Sequence, residues 1–433
     1  MIKRESNSYL SIQTAFIKLT KNIINKPINE ELDAKETLGR VLYNNIISSV
    51  NIPMYDSSHM DGFAVIHDDL IGSTNLKPIT LKVIEDIKLG NSKIKPLQSG
   101  YASRIPTGGY LPKNSDTVVP IEYVQFNSFN KSVKIFSELS KGSFITPAGK
   151  NISKNKLMLK KGHLIRIQDI ALLNLLSLKK INVFKKPKVA IIPTGSELTN
   201  NIDDVIQYGK ILNTNGQIIS LLIEAAGGIS IDLGITSDNI QTVKKKIKDA
   251  ISQNDVIVTI GGSSVGHKDF IADSINSMGK PGILAKGIKL DRGRVTKIAI
   301  LKSKPIIILP GPIQGAVNAC IVIVIPLIRK LIGLSHNNNK AIVNAQITDN
   351  WIARKKFQYF VKILYVHLSI SKFDNTINAE PIIGETADMT VMTKANGYVI
   401  IPEKITNIEK GTEIQVNLLS GLSFASTNPI DFI

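Results

Sequence analysis

Three turns rich in glycine, serine and proline follow apolar segments of the type that form buried strands. They lie at residues 193–197, 261–266 and 310–315. In an open α/β sheet, ligands bind beyond the carboxyl ends of the strands, where helix N-termini present free N–H groups to anions. The three turns therefore predict a site for a ligand that carries phosphate.

The segments around these turns alternate between strand and helix patterns. Continuous apolar runs at 189–193, 256–260 and 306–309 have the composition of strands buried on both faces. The remaining predicted elements are a strand at 229–235 and helices at 215–226, 237–253 and 314–332. This order predicts a doubly wound parallel α/β sheet.

The rest of the chain predicts helical and β-rich regions. Residues 9–50 follow a helical period from Leu10 to Leu19 and again from Glu30 to Val41, and residues 163–181 are also predicted to be helical. Short alternating runs between Gly, Pro, Asn and Ser predict β structure in 51–148 and after residue 334. Predicted strands of this last region lie at 357–362, 398–401 and 412–416.

Composition limits the class of protein. A chain of 433 residues with 43% apolar and 20% charged residues is expected to fold into several domains. The single cysteine, Cys320, cannot form a disulfide framework within the chain, which favours a reducing compartment. The N-terminus lacks an apolar signal region, and the longest apolar runs, near 319–328, are shorter than the roughly 20 residues of a membrane span. We expect a cytoplasmic protein without a membrane segment.

The net charge of +18 predicts attraction of anions. The densest basic runs, 185–188 and 244–248, have the pattern of a linker and of the solvated face of a helix. They lack the interleaved aromatic residues and the recognition helix of nucleic-acid binders. A nucleic-acid partner is therefore disfavoured relative to a phosphorylated small molecule.

Several motifs then carry a resemblance to one family. Residues 53–64, Pro-Met-Tyr-Asp-Ser-Ser-His-Met-Asp-Gly-Phe-Ala, resemble the P-x-x-D-x-S-A-M-D-G-Y-A signature of the molybdopterin molybdenumtransferases, the MoeA and gephyrin E-domain family. Further segments are similar to family motifs in the same order: 105–109 with 112–122, 193–198, 261–269, 309–311 and 394–403. The resemblance covers nearly the whole chain.

The resemblance implies a four-part fold and an activity. The parts would be an elongated helical segment (1–50 and 149–185), an inserted β-rich domain (51–148), a MogA-like α/β molybdopterin-binding domain (186–333) and a C-terminal β-barrel (334–433). Family members are homodimers with the site between subunits. They cleave adenylylated molybdopterin with a divalent cation, insert molybdate and release AMP. A molybdopterin adenylyltransferase is the implied protein partner.

The matched positions imply site residues. The hard oxygen ligands Asp61, Glu197 and Asp269 would bind Mg²⁺ and act in catalysis. The positions implied to bind the pterin, its phosphates or molybdate are Thr107, Gly108, Thr194, Gly195, Ser196, Asn213, Asn215, Gly261, Gly262, Ser263, Ser264, Gly266, Lys268, Lys289, Arg292, Arg294, Pro310 and Gly311.

Each of these residues also has a structural alternative. Asp61 could cap a turn, Glu197 could cap a helix, and Asp269 could be an ordinary acidic residue in a first helical turn. The turn at 261–264 could be only a tight connection. His59 and His267 are disfavoured as metal ligands because no partner lies at ligand spacing.

Several positions depart from the family pattern. Asn151 and Asn213 stand where the family has carboxylates, so metal binding is expected to weaken. The family's K-P-G-K-P element reads Asp-Arg-Gly-Arg-Val at 291–295, and its N-P-V-S element reads Pro-Ile-Gln-Gly at 312–315. Pterin binding is thus better supported than metal insertion.

Three hypotheses remain open. The first is a working molybdenumtransferase with a modified metal site, which handles molybdate or tungstate. The second is a diverged paralogue that binds molybdopterin or a partner protein without cleaving the adenylate. The third is a nucleotide or nucleic-acid binder that uses the basic surface.

Overall fold

The computed structural model describes residues 9–23, 28–90, 93–262, 270–334, 341–371 and 374–419. The chain divides into two compact units. The larger unit takes in Met1–Leu32, Glu36–Tyr43 and Asn182–Ile433, and the smaller unit takes in Asp33–Lys35 and Asn44–Ile181. Each unit has its own hydrophobic core.

The first described helix is α1 (Ile12–Lys21), which confirms the first half of the predicted N-terminal helical region. Ser11 caps α1, because its Oγ accepts a hydrogen bond of 3.1 Å from the Thr14 N–H. Ala15 and Leu19 are buried in the core of the larger unit. The helix therefore packs through one apolar face, as its period predicts.

The predicted helix from Glu30 to Val41 is wrong. Residues Asn29–Asp33 form strand β1, which pairs with the strand Lys180–Phe184, and Ala34–Glu36 form a 3₁₀ turn. Glu, Lys and Leu favour a helix locally, but that preference is weak. Pairing with a strand about 150 residues away along the chain overrides it.

The smaller unit is rich in short strands. They are β2 (Ile46–Ile47), β3 (Ser57–Ser58), β4 (Gly62–Val65), β5 (Ile79–Asp86), β6 (Tyr101–Ile105), β7 (Thr117–Pro120), β8 (Val124–Asn127), β9 (Ser132–Ile135), β10 (Ile145–Thr146) and β11 (Leu157–Leu159). Six of them form one sheet in the order β7-β4-β6-β5-β9-β8. Its core includes Phe63, Leu81 and Val119, so the sheet supports the loops that precede β4 and follow β6.

Helix α2 (Ile167–Leu175) confirms the central part of the predicted helix at 163–181. The helix ends before Ser177, whose φ of 57° is left-handed. The last residues of the predicted helix belong instead to β12 (Lys180–Phe184), the partner of β1.

The larger unit contains an α/β domain. Its strands are β13 (Lys188–Pro193), β14 (Leu198–Thr199), β15 (Ile211–Leu212), β16 (Ile229–Asp232), β17 (Val256–Ile260), β18 (Gly282–Ala285), β19 (Lys297–Leu301) and β20 (Lys304–Leu309). Its helices are α3 (Ile202–Tyr208), α4 (Thr214–Ala225), α5 (Ile240–Gln253), α6 (Phe270–Met278) and α7 (Ile313–Leu331).

The main sheet has the order β16-β13-β17-β20-β19-β18. The first four strands are parallel, and β19 and β18 extend the sheet antiparallel at one edge. Val189 and Ile191 of β13 enter the core beneath α1, α4 and α7, whereas Ala190 and Ile192 enter the core beneath α5 and α6. Helices cover both faces, which explains why the strands read as continuous apolar runs.

Helix α7 is 19 residues long, and by length and composition it could cross a membrane. The run is longer than the apolar segment expected from sequence, but 72% of its most apolar window is buried inside the protein. It is therefore a core helix of the α/β domain. Cys320 lies within it, and burial raises the pKa of the Cys320 thiol to about 12, so this thiol stays protonated near neutral pH.

The C-terminal part of the larger unit is a closed barrel of five strands in the order β21-β24-β23-β25-β27. The elements of this part are β21 (Ile342–Ile347), β22 (Trp351–Ile352), β23 (Lys362–Ile370), β24 (Ile377–Ile382), α8 (Thr390–Lys394), β25 (Gly397–Ile401), β26 (Asn407–Ile408) and β27 (Glu413–Leu418). The strand predicted at 357–362 begins only at its last residue, because Lys355–Phe357 form a 3₁₀ turn.

The observed architecture confirms the predicted fold class. A doubly wound α/β sheet, a β-rich second unit and a C-terminal barrel are all present. The N-terminal helical segment is shorter than predicted, since β1 and β12 replace part of it.

Candidate functional site

A cleft of about 720 Å³ lies at the carboxyl ends of β13, β17 and β20. Its wall includes the turns that follow these strands, the start of α4 and one segment of the barrel. This is the edge of an α/β sheet at which ligands are expected. The three turns singled out in the sequence thus meet here, as far as their residues are described.

The first turn joins the ends of two strands. The Thr194 N–H donates to the Ile260 carbonyl at 2.8 Å, and the Thr194 hydroxyl donates to the same oxygen at 3.2 Å. Gly195 has a φ of 152°, and a side-chain carbon on it would lie 2.5 Å from Glu197 Oε1. Glycine at 195 therefore leaves the space that the Glu197 carboxylate occupies at the cleft.

The second turn packs its backbone directly against the first. Gly261 and Gly262 have φ values of 94° and 62°, which favour glycine. A side-chain carbon on Gly261 would lie 2.5 Å from the Thr194 carbonyl oxygen, and the Gly261 N–H donates to Leu309 O at 3.0 Å. The close approach of three strand ends requires glycine at this point.

The start of α4 contacts the third turn and the segment that follows the first turn. Asn213 caps α4, because its Oδ1 accepts a 3.2 Å hydrogen bond from the Gly216 N–H, and its Nδ2 donates to Asn200 Oδ1 at 3.2 Å. The Asn215 side chain donates to the Gly311 carbonyl at 2.5 Å. Asn213, Asn215 and Gly311 all line the cleft.

The cleft also has an apolar wall. The side chains that form it include residues of a short strand, two loops and a helix start, namely Ile211, Leu212, Val295, Met389 and Phe270. Apolar walls with a few polar groups are typical of sites for small molecules and cofactors. The arrangement suits a ligand with a ring system and a phosphorylated end.

Asp238 is a cleft residue that the sequence analysis did not assign to the site. It lines the cleft together with Glu197, and its N–H donates to Ser196 Oγ at 3.5 Å. The sequence placed Asp238 at the start of a helix, but α5 begins later and is capped by Asn239, whose Oδ1 accepts from the Gln241 N–H at 2.8 Å. The available sequence signal for this site residue was an acidic residue between a strand and the cap of the next helix.

The described carboxylates provide a partial fit to Mg²⁺. Among the described residues, no group of three or more His, Cys, Asp or Glu side chains is close enough to hold a metal. Glu197 and Asp238 nevertheless present hard oxygen donors to one cleft, which is the donor type that Mg²⁺ prefers. Because Mg²⁺ usually keeps several waters and also binds substrate phosphate, two carboxylates are compatible with it.

The basic residues predicted to bind oxyanions lie near the barrel. Lys289 Nζ lies 3.7 Å from Glu403 Oε2, and the guanidinium of Arg294 lies 5.5 Å from the centre of the Phe357 ring. Arg292 donates to Gln314 Oε1 and to the Gly384 carbonyl. None of these three cations is among the residues that line the described part of the cleft. Val295, which follows Arg294 in the same loop, does line it.

Five of the predicted residues, Ser263, Ser264, Gly266, Lys268 and Asp269, lie outside the described residues. The two remaining ones of the α/β domain are placed beside the cleft turns. Ser196 accepts the hydrogen bond from the Asp238 N–H, and Pro310 lies 3.1 Å from where a side chain on Gly315 would begin.

Asp61, Thr107 and Gly108 belong to the smaller unit. Asp61 Oδ1 accepts hydrogen bonds from the Thr107 N–H at 2.7 Å and from the Thr107 hydroxyl at 3.0 Å. The backbone hydrogen bond is the main reason why the pKa of Asp61 is lowered. Gly108 has a φ of 79° and its N–H donates to Ser58 O at 2.8 Å. Asp61 is therefore an exposed, ionised carboxylate that joins two loops of its sheet.

Comparison with known proteins covers nearly the whole chain. The family model "MoeA N-terminal region (domain I and II)" matches residues 10–177, "Probable molybdopterin binding domain" matches 190–330, and "MoeA C-terminal region (domain IV)" matches 344–419. These three matches follow the order of the domains along the chain.

Individual relatives agree with the family models. The chain is 28% identical over 425 residues to the molybdopterin molybdenumtransferase of Staphylococcus epidermidis, covering 97% of this chain and 98% of that protein. It is 29% identical over 394 residues to that of Bacillus subtilis, covering 89% and 88%. The crystal structure of the molybdopterin biosynthesis MoeA protein from Pyrococcus horikosii superimposes with a TM-score of 0.83 at 28% identity, covering 96% of this chain and 100% of that one.

The fold is that of a multi-domain α/β protein with a cleft at the carboxyl edge of its parallel sheet. With the three matched models in domain order, the chain belongs to the MoeA family and has a role in molybdenum cofactor biosynthesis.

Proposed function

We propose that this chain is a molybdopterin molybdenumtransferase, which cleaves adenylylated molybdopterin, inserts molybdate or tungstate into the pterin dithiolene and releases AMP. One observation carries the proposal: glycine turns at adjacent strand ends and the two carboxylates Glu197 and Asp238 line a single cleft. The names of the Staphylococcus and Bacillus relatives support the same activity.

The strand-end turns would bind the phosphates. Gly261 and Gly262 carry no side chains, so a pyrophosphate could approach the Gly262 N–H closely. The Gly195 and Gly261 N–H groups instead donate to Thr236 O and Leu309 O and hold the strand ends together. The start of α4, where Thr214 and Asn215 line the cleft, would add the positive end of a helix dipole. The apolar wall with Phe270 and Met389 would hold a ring of the substrate.

The carboxylates would hold a divalent cation. We propose Glu197 and Asp238, together with the predicted ligand Asp269, as residues of the larger unit that bind Mg²⁺. Asp61 of the smaller unit is proposed separately as a cation-binding carboxylate. A bound Mg²⁺ would neutralise the charge that develops on the pyrophosphate oxygens. Asp61 is an exposed carboxylate, ionised at neutral pH like an ordinary aspartate, and the Thr107 hydrogen bonds lower its pKa further.

The remaining predicted binding residues are part of the proposal, namely Thr107, Gly108, Thr194, Ser196, Asn213, Ser263, Ser264, Gly266, Lys268, Lys289, Arg292, Arg294, Pro310 and Gly311. We further propose the division into domains at 1–50 with 149–185, 51–148, 186–333 and 334–433. A homodimer, a molybdopterin adenylyltransferase partner and a cytoplasmic location complete the proposal.

A direct assay tests the activity. The purified chain is incubated with adenylylated molybdopterin, Mg²⁺ and molybdate, and AMP release and pterin-bound metal are measured. We expect both products, and a parallel reaction with tungstate compares the two metals. Retention of the pterin without AMP release would contradict the enzyme and favour a binding protein.

Charge-neutral variants test the carboxylates. Glu197→Gln and Asp238→Asn are each expected to lower the rate of AMP release by about 100-fold, the order of magnitude for losing one electrostatic group of an active site. Glu409→Gln, which changes an exposed carboxylate of the barrel, is the matched control and should retain the full rate. Equal rates for all three variants would remove both carboxylates from the mechanism.

A further inference from the structure

A segment of the barrel, Gly384 to Met389, forms part of the cleft wall. Ala387 and Met389 line the cleft together with residues of the α/β domain. The segment connects β24 to α8 and contains no strand. Its position at the cleft therefore depends on contacts made by individual side chains.

Gln314 provides several of those contacts. It lies in the first turn of α7 and is only 1% exposed. Its Nε2 donates to the carbonyls of Glu385 at 2.7 Å and of Asp388 at 3.0 Å, and its N–H donates to the Thr386 carbonyl at 3.2 Å. One residue of α7 thus binds three carbonyl groups of the 384–389 segment.

Arg292 completes this arrangement. Its guanidinium donates to Gln314 Oε1 and also to the Gly384 carbonyl. The amide of glutamine has one acceptor and one donor end, so a donor at Oε1 requires Nε2 to face the segment. Arg292 therefore both orients the Gln314 amide and binds the beginning of the segment itself.

The pair lies where the chain departs from the family pattern. Arg292 stands at the first proline of the K-P-G-K-P element, and Gln314 stands at the valine of the N-P-V-S element. Proline and valine have no side-chain group that donates a hydrogen bond. Two departures that are 22 residues apart in sequence are thus joined by a hydrogen bond.

We propose that Arg292 and Gln314 are positioning residues that hold the 384–389 segment as a wall of the cleft and thereby set how tightly the substrate binds. This role deepens the proposed function and rests on it. It also gives Arg292 a task other than direct contact with an oxyanion. The pair acts through Ala387 and Met389, which are the residues of the segment that line the cleft.

Two measurements on three variants test the proposal. Gln314→Glu keeps the acceptor for Arg292 but loses the donors to Glu385 and Asp388, whereas Gln314→Met and Arg292→Met remove the contacts from either side. Hydrogen exchange of the Asp388 N–H, which donates to the Glu385 carbonyl at 3.1 Å, reports on the segment. Calorimetric titration with AMP reports on the cleft.

We expect faster exchange in all three variants and about tenfold weaker AMP binding, the effect of losing one or two buried hydrogen bonds. The double variant Arg292→Met with Gln314→Met should be no weaker than the more affected single variant, because the two residues act as one unit. Arg292→Lys should restore binding only in part, since lysine lacks the fork that reaches two acceptors.

Arg354→Met is the matched control. It removes a neighbouring guanidinium that pairs with Asp291 and none of the hydrogen bonds to the segment described above. Unchanged exchange in the Gln314 variants, or faster exchange with unchanged AMP binding, would overturn the proposal. An unaltered chain that neither binds AMP nor releases it would instead overturn the proposed function, and the exchange rates would still decide whether the pair holds the segment.

Discussion

The carboxylate of Glu197 lies against the Cα of Gly195, at a place where any side chain on residue 195 would collide with it. A carbon added to Gly195 would lie 2.5 Å from Glu197 Oε1 and 2.9 Å from Oε2. The Glu197 carboxylate can therefore occupy this position at the cleft only because residue 195 is a glycine.

Gly195→Ala is expected to displace Glu197 and lower the rate of AMP release by at least tenfold. The φ of 152° also disfavours alanine, so a stability loss of roughly 1–2 kcal/mol is expected. Steady-state AMP release and urea unfolding measure the two effects.

Gly411→Ala separates strain from displacement. Gly411 has a φ of 82° but no atom within 4 Å of an added carbon. This control should lose a similar amount of stability and keep its activity. If Gly195→Ala also kept full activity, the position of Glu197 would not matter for the reaction.

Thr107→Val tests the environment of Asp61. The variant removes the hydroxyl that donates to Asp61 Oδ1 and retains the backbone donor. The pKa of Asp61, which the Thr107 bonds lower, should rise toward the ordinary aspartate value. Carbon-detected NMR titration of the Asp61 carboxyl measures this shift.

The sign of the pH effect follows from that shift. A lowered pKa stabilises the fold above the unfolded-state value of about 4, and this stabilisation is lost as the pH falls through the folded value. Thr107→Val raises the pKa of Asp61, so Asp61 becomes protonated at a higher pH in the variant. The acid limb of the activity profile should move to higher pH for the same reason. Thr80→Val, at an exposed position of β5, should leave the profile unchanged; an unmoved acid limb in Thr107→Val would exclude Asp61 as the group that controls it.

Asn213→Asp is expected to increase the affinity for Mg²⁺. A carboxylate at 213 can still cap α4 by accepting from the Gly216 N–H, and a negative charge at a helix N-terminus is favourable. It adds a charge to the cleft that contains Glu197 and Asp238, so we expect a gain of about tenfold, measured as the Mg²⁺ dependence of AMP release.

Asn201→Asp provides the same change of charge at the cap of α3, where Oδ1 accepts from the Asp203 N–H at 3.0 Å. It should not alter the Mg²⁺ dependence. Asn151→Asp, at an exposed position of the smaller unit, tests the second departure from the family pattern and should act in the same direction as Asn213→Asp. Identical Mg²⁺ dependence in Asn213→Asp and the unaltered chain would show that position 213 does not face the cation.

Asp169→Asn is expected to destabilise the smaller unit by about 2 kcal/mol at pH 7, because Asp169 is a buried acceptor of charged hydrogen bonds. Burial by itself raises the pKa of Asp169, but the bonds from Arg166 and His163 outweigh this effect and lower it overall. The Asp169 contribution is thus present above the ordinary carboxyl pKa and is lost as the pH falls through the lowered value.

Denaturant unfolding at several pH values measures the Asp169 contribution, and the difference between Asp169→Asn and the unaltered chain should shrink in acid. Asp203→Asn, an exposed acid in the first turn of α3, is the control and should change stability by less than about 0.5 kcal/mol. A difference that does not depend on pH would contradict the ion-pair explanation.

Local patterns in the sequence were sufficient for the α/β core and its turns. The run Val189 to Ile192 is apolar at every position because alternate residues enter two different cores, and this can be read without any knowledge of the rest of the chain. The glycine-rich turns at 193–197 and 261–266 likewise indicated the carboxyl edge of the sheet at which the cleft lies, and the order of the motifs indicated the family. These features depend on neighbours in sequence, so the sequence by itself determined them.

Other features depend on residues that are distant in sequence, and only the tertiary structure decided them. Asn29–Asp33 is a strand because Lys180–Phe184 lies beside it. Asp238 belongs to the cleft because the strand ends meet there, and Arg292 bonds to Gln314 and Gly384 because the barrel packs against the start of α7. Helix propensity and motif spacing carry no information about such contacts. The contact energies come from groups that are far apart in sequence and become neighbours only when the chain folds.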